Sequence, residues 1–340
     1  MPINSIAHFR ALAIVLVVLC HTPALGALAV DTLTERFVWN MLSGGTTMFV
    51  FISGFLFHHV FVRRFNYSAF VTKKIKRLFV PYVVLSCVAL AFGCSTVALD
   101  SFSGDFAEAR MAAYMLGSGG ATMAYWYIPF ALTLFAMAPL HVRFTKLSLG
   151  SQLVIVGALM GVALLIHRPV GNVGPVQNLL YYTPTYLLGM MCSQHSAIAY
   201  PPLTRLRWPL LSASLGLAML QALLGESGGY LKPMFAFGGI DLLLLQKVCF
   251  CLFLIAFLQR FEGVRSKTVD VVAETSFAIY FLHPIVLELL IRSGWLPSHP
   301  ADESWSRFVV LSGACVAVCS MAAWSCRRAF GPQSRFVTGY

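Results

Sequence analysis

The stretch His8-Phe9-Arg10-Ala11-Leu12-Ala13-Ile14-Val15-Leu16-Val17-Val18-Leu19-Cys20-His21 decides how the rest of the chain is read. An arginine and a histidine bracket ten residues that carry no charge. On an α-helix, eleven steps of about 100° close to within roughly 20° of three turns, so Arg10 and His21 share a face, ~16 Å apart. With Arg10 at one membrane surface, His21 is expected near the middle of a hydrocarbon core roughly 30 Å thick. An ionisable group at that depth is expensive, so it is expected to face a cavity and to have a task.

The composition around this stretch is that of an integral membrane protein. Hydrophobic residues make up 58% of the chain and charged residues 11%, and the mean hydropathy is +0.77. A soluble domain carries roughly 25% charged residues, so there is too little polar material to coat a globule. Ten spans are predicted: Phe9–Ala29, Thr46–Val62, Leu78–Cys94, Trp126–His141, Leu153–Ile166, Leu179–Cys192, Leu210–Leu224, Leu242–Leu258, Phe277–Ile291 and Phe308–Trp324. No internal repeat and no insertion the size of a soluble domain separates them, so residues 1–340 read as one all-α membrane domain.

The net charge of +11 falls between the apolar segments, which points to orientation in the membrane and away from nucleic acid. With the N-terminus inside and strict alternation, seventeen basic residues fall on the inner side, among them Arg10, Lys73, Lys74, Lys76, Arg77, Arg327, Arg328 and Arg335. Six fall outside: Arg36, Arg110, Arg168, Lys232, Arg292 and Arg307. This asymmetry predicts that both termini are cytoplasmic. Ala27-Leu28-Ala29 resembles a signal-peptidase site, but little positive charge precedes Arg10, and His21 and Pro23 interrupt the apolar run, so an uncleaved span is expected. The nine cysteines lie mostly inside spans and form no C-x-x-C; packing is expected of them, and no metal site.

Four further patches stand out. Ser53-Gly54, within Phe49 to Leu56, suits close helix packing better than a catalytic serine. Lys73-Lys74-Ile75-Lys76-Arg77 precedes Leu78-Phe79-Val80-Pro81-Tyr82; Lys74 and Arg77 are spaced i, i+3 and on a helix could hold one polyphosphate between them, although a basic helix end also anchors topology on lipid phosphates. Tyr125-Trp126-Tyr127 opens the fourth span, where an aromatic belt is the default and stacking of a sugar on Trp126 the functional alternative. Ala278-Ile279-Tyr280-Phe281-Leu282-His283-Pro284 puts a second histidine in a span, where it serves either a site or a neighbouring helix.

In this order, these patches resemble the acyltransferase-3 family, integral membrane enzymes that O-acylate carbohydrates. The matching features are the R-x10-H of Arg10 to His21, the Phe-Ile-Ser-Gly-Phe-Leu of the second span, the basic-x-x-Arg-Leu-x-x-Pro-Tyr of Lys74 to Tyr82, the Trp126 patch, and Ile279 to Pro284. The resemblance covers essentially the whole chain. It implies transfer of an acyl group, most often acetyl from acetyl-CoA, to a sugar hydroxyl of a surface glycan. On that pattern His21 is the essential histidine with Arg10 its companion, Lys74 and Arg77 hold the donor, and Trp126 and His283 are candidates for positioning the substrate. Two departures stand in this chain: Ala7 occupies a position where many members carry an acid, and Lys74 replaces an arginine. Lysine binds phosphate as a point charge, without the bidentate fork.

The chemistry can be argued separately. A sugar hydroxyl is a weak nucleophile and needs a base such as neutral imidazole, a role worth about 10² to 10⁴ in rate. A thioester donor is already activated, so no metal, permanent cofactor or nucleophilic serine is required. Coenzyme A is highly anionic, and the inner basic cluster lies on the side where it is made; its thin pantetheine arm could thread inward toward His21 while its phosphates stay on Lys74 and Arg77. Arg327 to Tyr340 follow the tenth span, so no appended soluble domain is expected, and transfer is expected to finish in the membrane domain or with a separate partner. The expectation is therefore a multi-pass O-acyltransferase of the bacterial inner membrane, whose partners are acyl-CoA, a lipid-linked or surface polysaccharide and membrane lipids. A glycan transporter or flippase is the alternative; it predicts inverted repeats between halves, and none is evident in the sequence.

Overall fold

The computed structural model describes residues 4–92, 106–172, 174–294 and 303–340. Among these residues the chain is helical, with a single isolated bridge between Arg168 and Leu231 in place of any sheet. The helices are α1 (Asn4–His21), α2 (Leu33–Leu42), α3 (Gly45–Leu56), α4 (Tyr67–Lys74), α5 (Val80–Ala91), α6 (Ala107–Ser118), α7 (Tyr127–Ala136), α8 (Ala138–Phe144), α9 (Leu149–Ile166), α10 (Pro175–Gln194), α11 (Ser196–Leu223), α12 (Leu242–Leu258), α13 (Lys267–Arg292) and α14 (Trp305–Phe330). All ten expected spans fall on helices; the end of the third, Gly93 and Cys94, lies outside the described residues. Among the described residues six helical stretches suffice by length and apolarity to cross a membrane, or seven if α7 and α8, bent by 58° where they meet, count as one span. The chain is a multi-pass membrane protein; α5, α10 and α11 are not among the stretches that reach that length and apolarity.

The first helix is shorter than expected at its far end. It starts at Asn4 and stops at His21 instead of running to Ala29. Pro23 is the reason: the residue before a proline is pushed out of the α region, and Thr22 leaves it at φ −113°, ψ 23°. A 3-10 turn, Pro23–Gly26, follows and ends on Ala27 in the left-handed region. Thr22 ties this corner down, its hydroxyl 2.7 Å from that of Ser312 on α14. His21 is therefore the last residue of its helix, at a corner where a side chain can face a cavity.

Helix α1 runs through the middle of the bundle, packed on α3, α12, α13 and α14. Phe9, Ala13 and Leu16 join one buried cluster with Phe51 and Leu254, and Ile14, Val17 and Val18 join the other with Tyr125 and Ile279. The tightest crossing is that of α3 with α10. A Cβ on Gly54 would lie 1.9 Å from the Tyr186 carbonyl oxygen, and one on Gly189 would lie 2.0 Å from that of Phe51. Each helix thus offers a bare backbone to the other, the packing expected of Ser53-Gly54.

Candidate active site

Three cavities follow one another along α1. The first, of about 440 Å³, is lined by Arg10, Lys73, Lys74, Arg77, Arg327 and Arg335 with, among the described residues, a single acid, Glu274. The second is a constriction of about 20 Å³ between Val17, Thr46, Phe49, Tyr127, Phe277 and Tyr280. The third, of about 210 Å³, contains His21, Cys20, Thr46, Trp126, Arg168 and Gly229 in its wall. Phe277 borders both the first and the second, and Thr46 both the second and the third, so the cavities adjoin.

The structure brings Lys74 and Arg77 together, but not on the regular α-helix that their spacing suggested. Ile75–Phe79 is a π-helical turn between α4 and α5, the kind of local widening that is frequent at functional sites. The Lys74 ammonium sits in an aromatic cage, 3.9 Å from the Phe135 ring centroid and 5.4 Å from that of Phe70. Burial, reinforced by the neighbouring Arg10 and Arg77, pushes Lys74 down to about 8. An anion entering the cavity restores the lost solvation, so the cage holds a cation that gains from a phosphate.

Arg10 does not sit beside His21. It lines the basic cavity, its Nε donating to Ser276 Oγ at 2.6 Å and its guanidinium 5.3 Å from the Phe277 ring. Ser276 and Phe277 also border the constriction, so Arg10 stands where the basic cavity narrows. The eleven residues to His21 span ~16 Å of helix.

His21 instead pairs with His283. The two rings stack at 5.3 Å and 26°, and His283 Nε2 lies 3.2 Å from His21 Nδ1. Pro284 explains why the second imidazole is held there. It has no N–H to donate to the Tyr280 carbonyl one turn earlier, and His283 interacts with that carbonyl and donates from Nδ1 to the Ile279 carbonyl at 2.9 Å. A carbonyl can only accept, so Nδ1 of His283 carries the proton, and in the neutral ring Nε2 is bare. That bare nitrogen accepts from His21 Nδ1–H. In a neutral His21, Nε2 is then the unprotonated nitrogen of a side chain that lines the third cavity. Ala7 offers no carboxylate on α1, and this chain orients its histidine with a second, fully buried one.

Trp126 is an internal residue, 7% exposed, and not part of a surface belt. Its ring stacks on Tyr182 at 6.1 Å and carries the Arg168 guanidinium at 5.3 Å. Two cations of this region were not singled out by sequence. In the sequence Arg168 reads as an outer loop charge, and Lys247 is a lone cation inside an apolar run. Lys247 is fully buried on α12 and donates to the carbonyls of Asn40 and Met41 at 3.0 and 2.9 Å. It thereby caps α2 and fixes the loop into Gly44 to Thr46, part of the third cavity's wall.

A family model described as an acyltransferase domain matches residues 3–324. No curated protein and no solved structure shows a significant match to the chain. The match takes in both histidines, the constriction and most of the basic cavity, whose Arg327 and Arg335 lie beyond it. The chain belongs to the acyltransferase-3 family.

Proposed function

We propose that the protein transfers an acyl group, acetyl in the simplest case, from acyl-CoA to a hydroxyl of a lipid-linked or surface polysaccharide sugar in the bacterial inner membrane. The observation that carries this reading is the succession of cavities: a polycationic chamber, an aromatic constriction and a histidine chamber, in line along one helix. The donor's phosphates rest on Lys74, Arg77 and their neighbours, with both termini and this chamber on the cytoplasmic side, where the donor is made. Its arm passes Phe277 and Thr46 and delivers the thioester to His21.

His21 Nε2 takes the proton of the acceptor hydroxyl as that oxygen attacks the thioester carbon, a general-base role worth about 10² to 10⁴ in rate. His283 holds the imidazole in the tautomer that makes this possible. Arg10, at the entrance to the constriction, binds donor and does not reach the reacting atoms. Replacing Lys74 and Arg77 together with alanine should raise the KM for acyl-CoA about tenfold or more, since each charge-assisted contact is worth about 1.5–3 kcal/mol. An unchanged donor KM in correctly inserted protein would return the cluster to topology anchoring.

A further inference from the structure

The third cavity contains, besides the neutral His21, a cation held in place from several sides. Arg168 follows His167, which adopts φ 59° and ψ −175°, a conformation that is strained for a non-glycine residue and persists where surrounding structure enforces it. Contacts on several sides enforce it. His167 is buried, with Nε2 3.0 Å from the Gly239 carbonyl, and the Arg168 carbonyl accepts from Lys232 N at 2.9 Å. Asp241 closes the turn: one carboxylate oxygen caps α12 through Leu244 N at 2.8 Å, the other accepts from Tyr181 at 2.9 Å. The guanidinium itself lies over Trp126. Gly229 leaves the room for it, because a Cβ there would come within 2.9 Å of Nη1. A strained turn, an aromatic platform and a bare backbone thus converge on one side chain in the wall of the chamber that holds His21.

We propose that Arg168 is a catalytic residue that stabilises the oxyanion of the tetrahedral intermediate, an inference that rests on the acyl-CoA reading above. As the acceptor oxygen attacks, its proton passes to His21 Nε2, and the carbonyl π pair moves onto the thioester oxygen. That oxygen, now anionic, is met by guanidinium N–H donors. On collapse the C=O re-forms, the C–S bond breaks, and the departing thiolate takes the proton back from His21, leaving ester, free thiol and neutral imidazole. Preorganised donors aimed at such an oxyanion are usually the largest electrostatic contribution to acyl transfer, and the guanidinium presents them without reorganisation. Among the described residues, Arg168 and His21 are the cationic or basic side chains of this chamber, and none of those lining it is acidic.

The test is a binding comparison that needs no acceptor. Purified full-length protein is titrated with S-ethyl-CoA, which is neutral at the reacting position, and with the methylphosphonothioate ester of coenzyme A, whose tetrahedral anionic phosphorus replaces the thioester carbon. Wild type should bind the phosphonothioate about tenfold or more tighter than S-ethyl-CoA. Arg168→Gln should abolish that preference while keeping its affinity for S-ethyl-CoA. Arg168→Lys should retain part of it, and Gly229→Ala, which displaces the guanidinium without removing it, should weaken it. The last variant decides the matter if Arg168→Gln does not fold. Equal affinities in wild type, or a preference that survives both Arg168→Gln and Gly229→Ala, would overturn the role of Arg168. Failure of wild type to bind S-ethyl-CoA at all would remove the donor, and this inference with it.

Discussion

At the scale of single residues, protonation states decide what the site can do. The Ile279 carbonyl fixes the proton on His283, and His283 fixes that on His21. His283→Ala should therefore lower kcat by less than the about 10² to 10⁴ lost with the base itself, because a mobile His21 still samples the productive tautomer; steady-state kinetics in membranes would show this. Lys74 gives a pH prediction of definite sign. Burial beside Arg10 and Arg77 holds it at about 8, so it is charged below that pH and loses its charge as pH rises through it. The KM for acyl-CoA should rise above about pH 8, and Lys74→Arg should flatten the rise, since arginine stays charged throughout. Arg10, His21, Lys74 and Arg77 were legible because charge stands out in an apolar sequence. The partnership of Arg10 was not: equal azimuth on a helix does not tell which of two cavities each residue meets. Arg168 was hidden for the opposite reason, since a charge in a loop already had an explanation as a topology signal.

At the scale of elements, the site depends on where helices stop and how closely they pass. Gly54 and Gly189 let α3 and α10 cross with almost no gap. Gly54→Ala should push them apart and destabilise the protein by about 1–3 kcal/mol, as overpacking does, visible as a lower melting temperature in detergent. Gly157→Ala, where nothing lies within 4 Å of the new methyl, is the control and should leave it unchanged. Ser53-Gly54 announced this crossing in the sequence, but its partner in α10 did not, because one glycine among Leu187 to Met191 has no distinguishing pattern. Pro23 was visible as an interruption, yet ending the helix at His21 depends on the 3-10 turn and on the hold of Ser312, which are tertiary. The π-helical turn after Lys74 has no local signal at all, since the same residues suit an α-helix.

At the scale of the whole molecule, each of the ten hydrophobic stretches falls largely on helix among the described residues, while six or seven helical stretches there are long and apolar enough to cross unaided. Apolar runs mark burial well but do not separate lipid-facing length from length covered by neighbours, as the well-buried α10 illustrates. The charge asymmetry predicts sidedness: reporter fusions after Arg77 and after Arg335 should report cytoplasm, and a fusion after Gly239 the opposite side. A cytoplasmic report from Gly239 would place the histidine chamber on the wrong face for a surface acceptor. The whole arrangement stands on His21 as the base of an acyl transfer, and its replacement separates an enzyme from a glycan transporter. In cells carrying His21→Ala, O-acylation of the glycan should be lost while the unmodified glycan reaches the surface in normal amount. Surface glycan that is depleted yet still acylated, or full acylation by the His21→Ala protein in membranes supplied with acyl-CoA and acceptor, would contradict it.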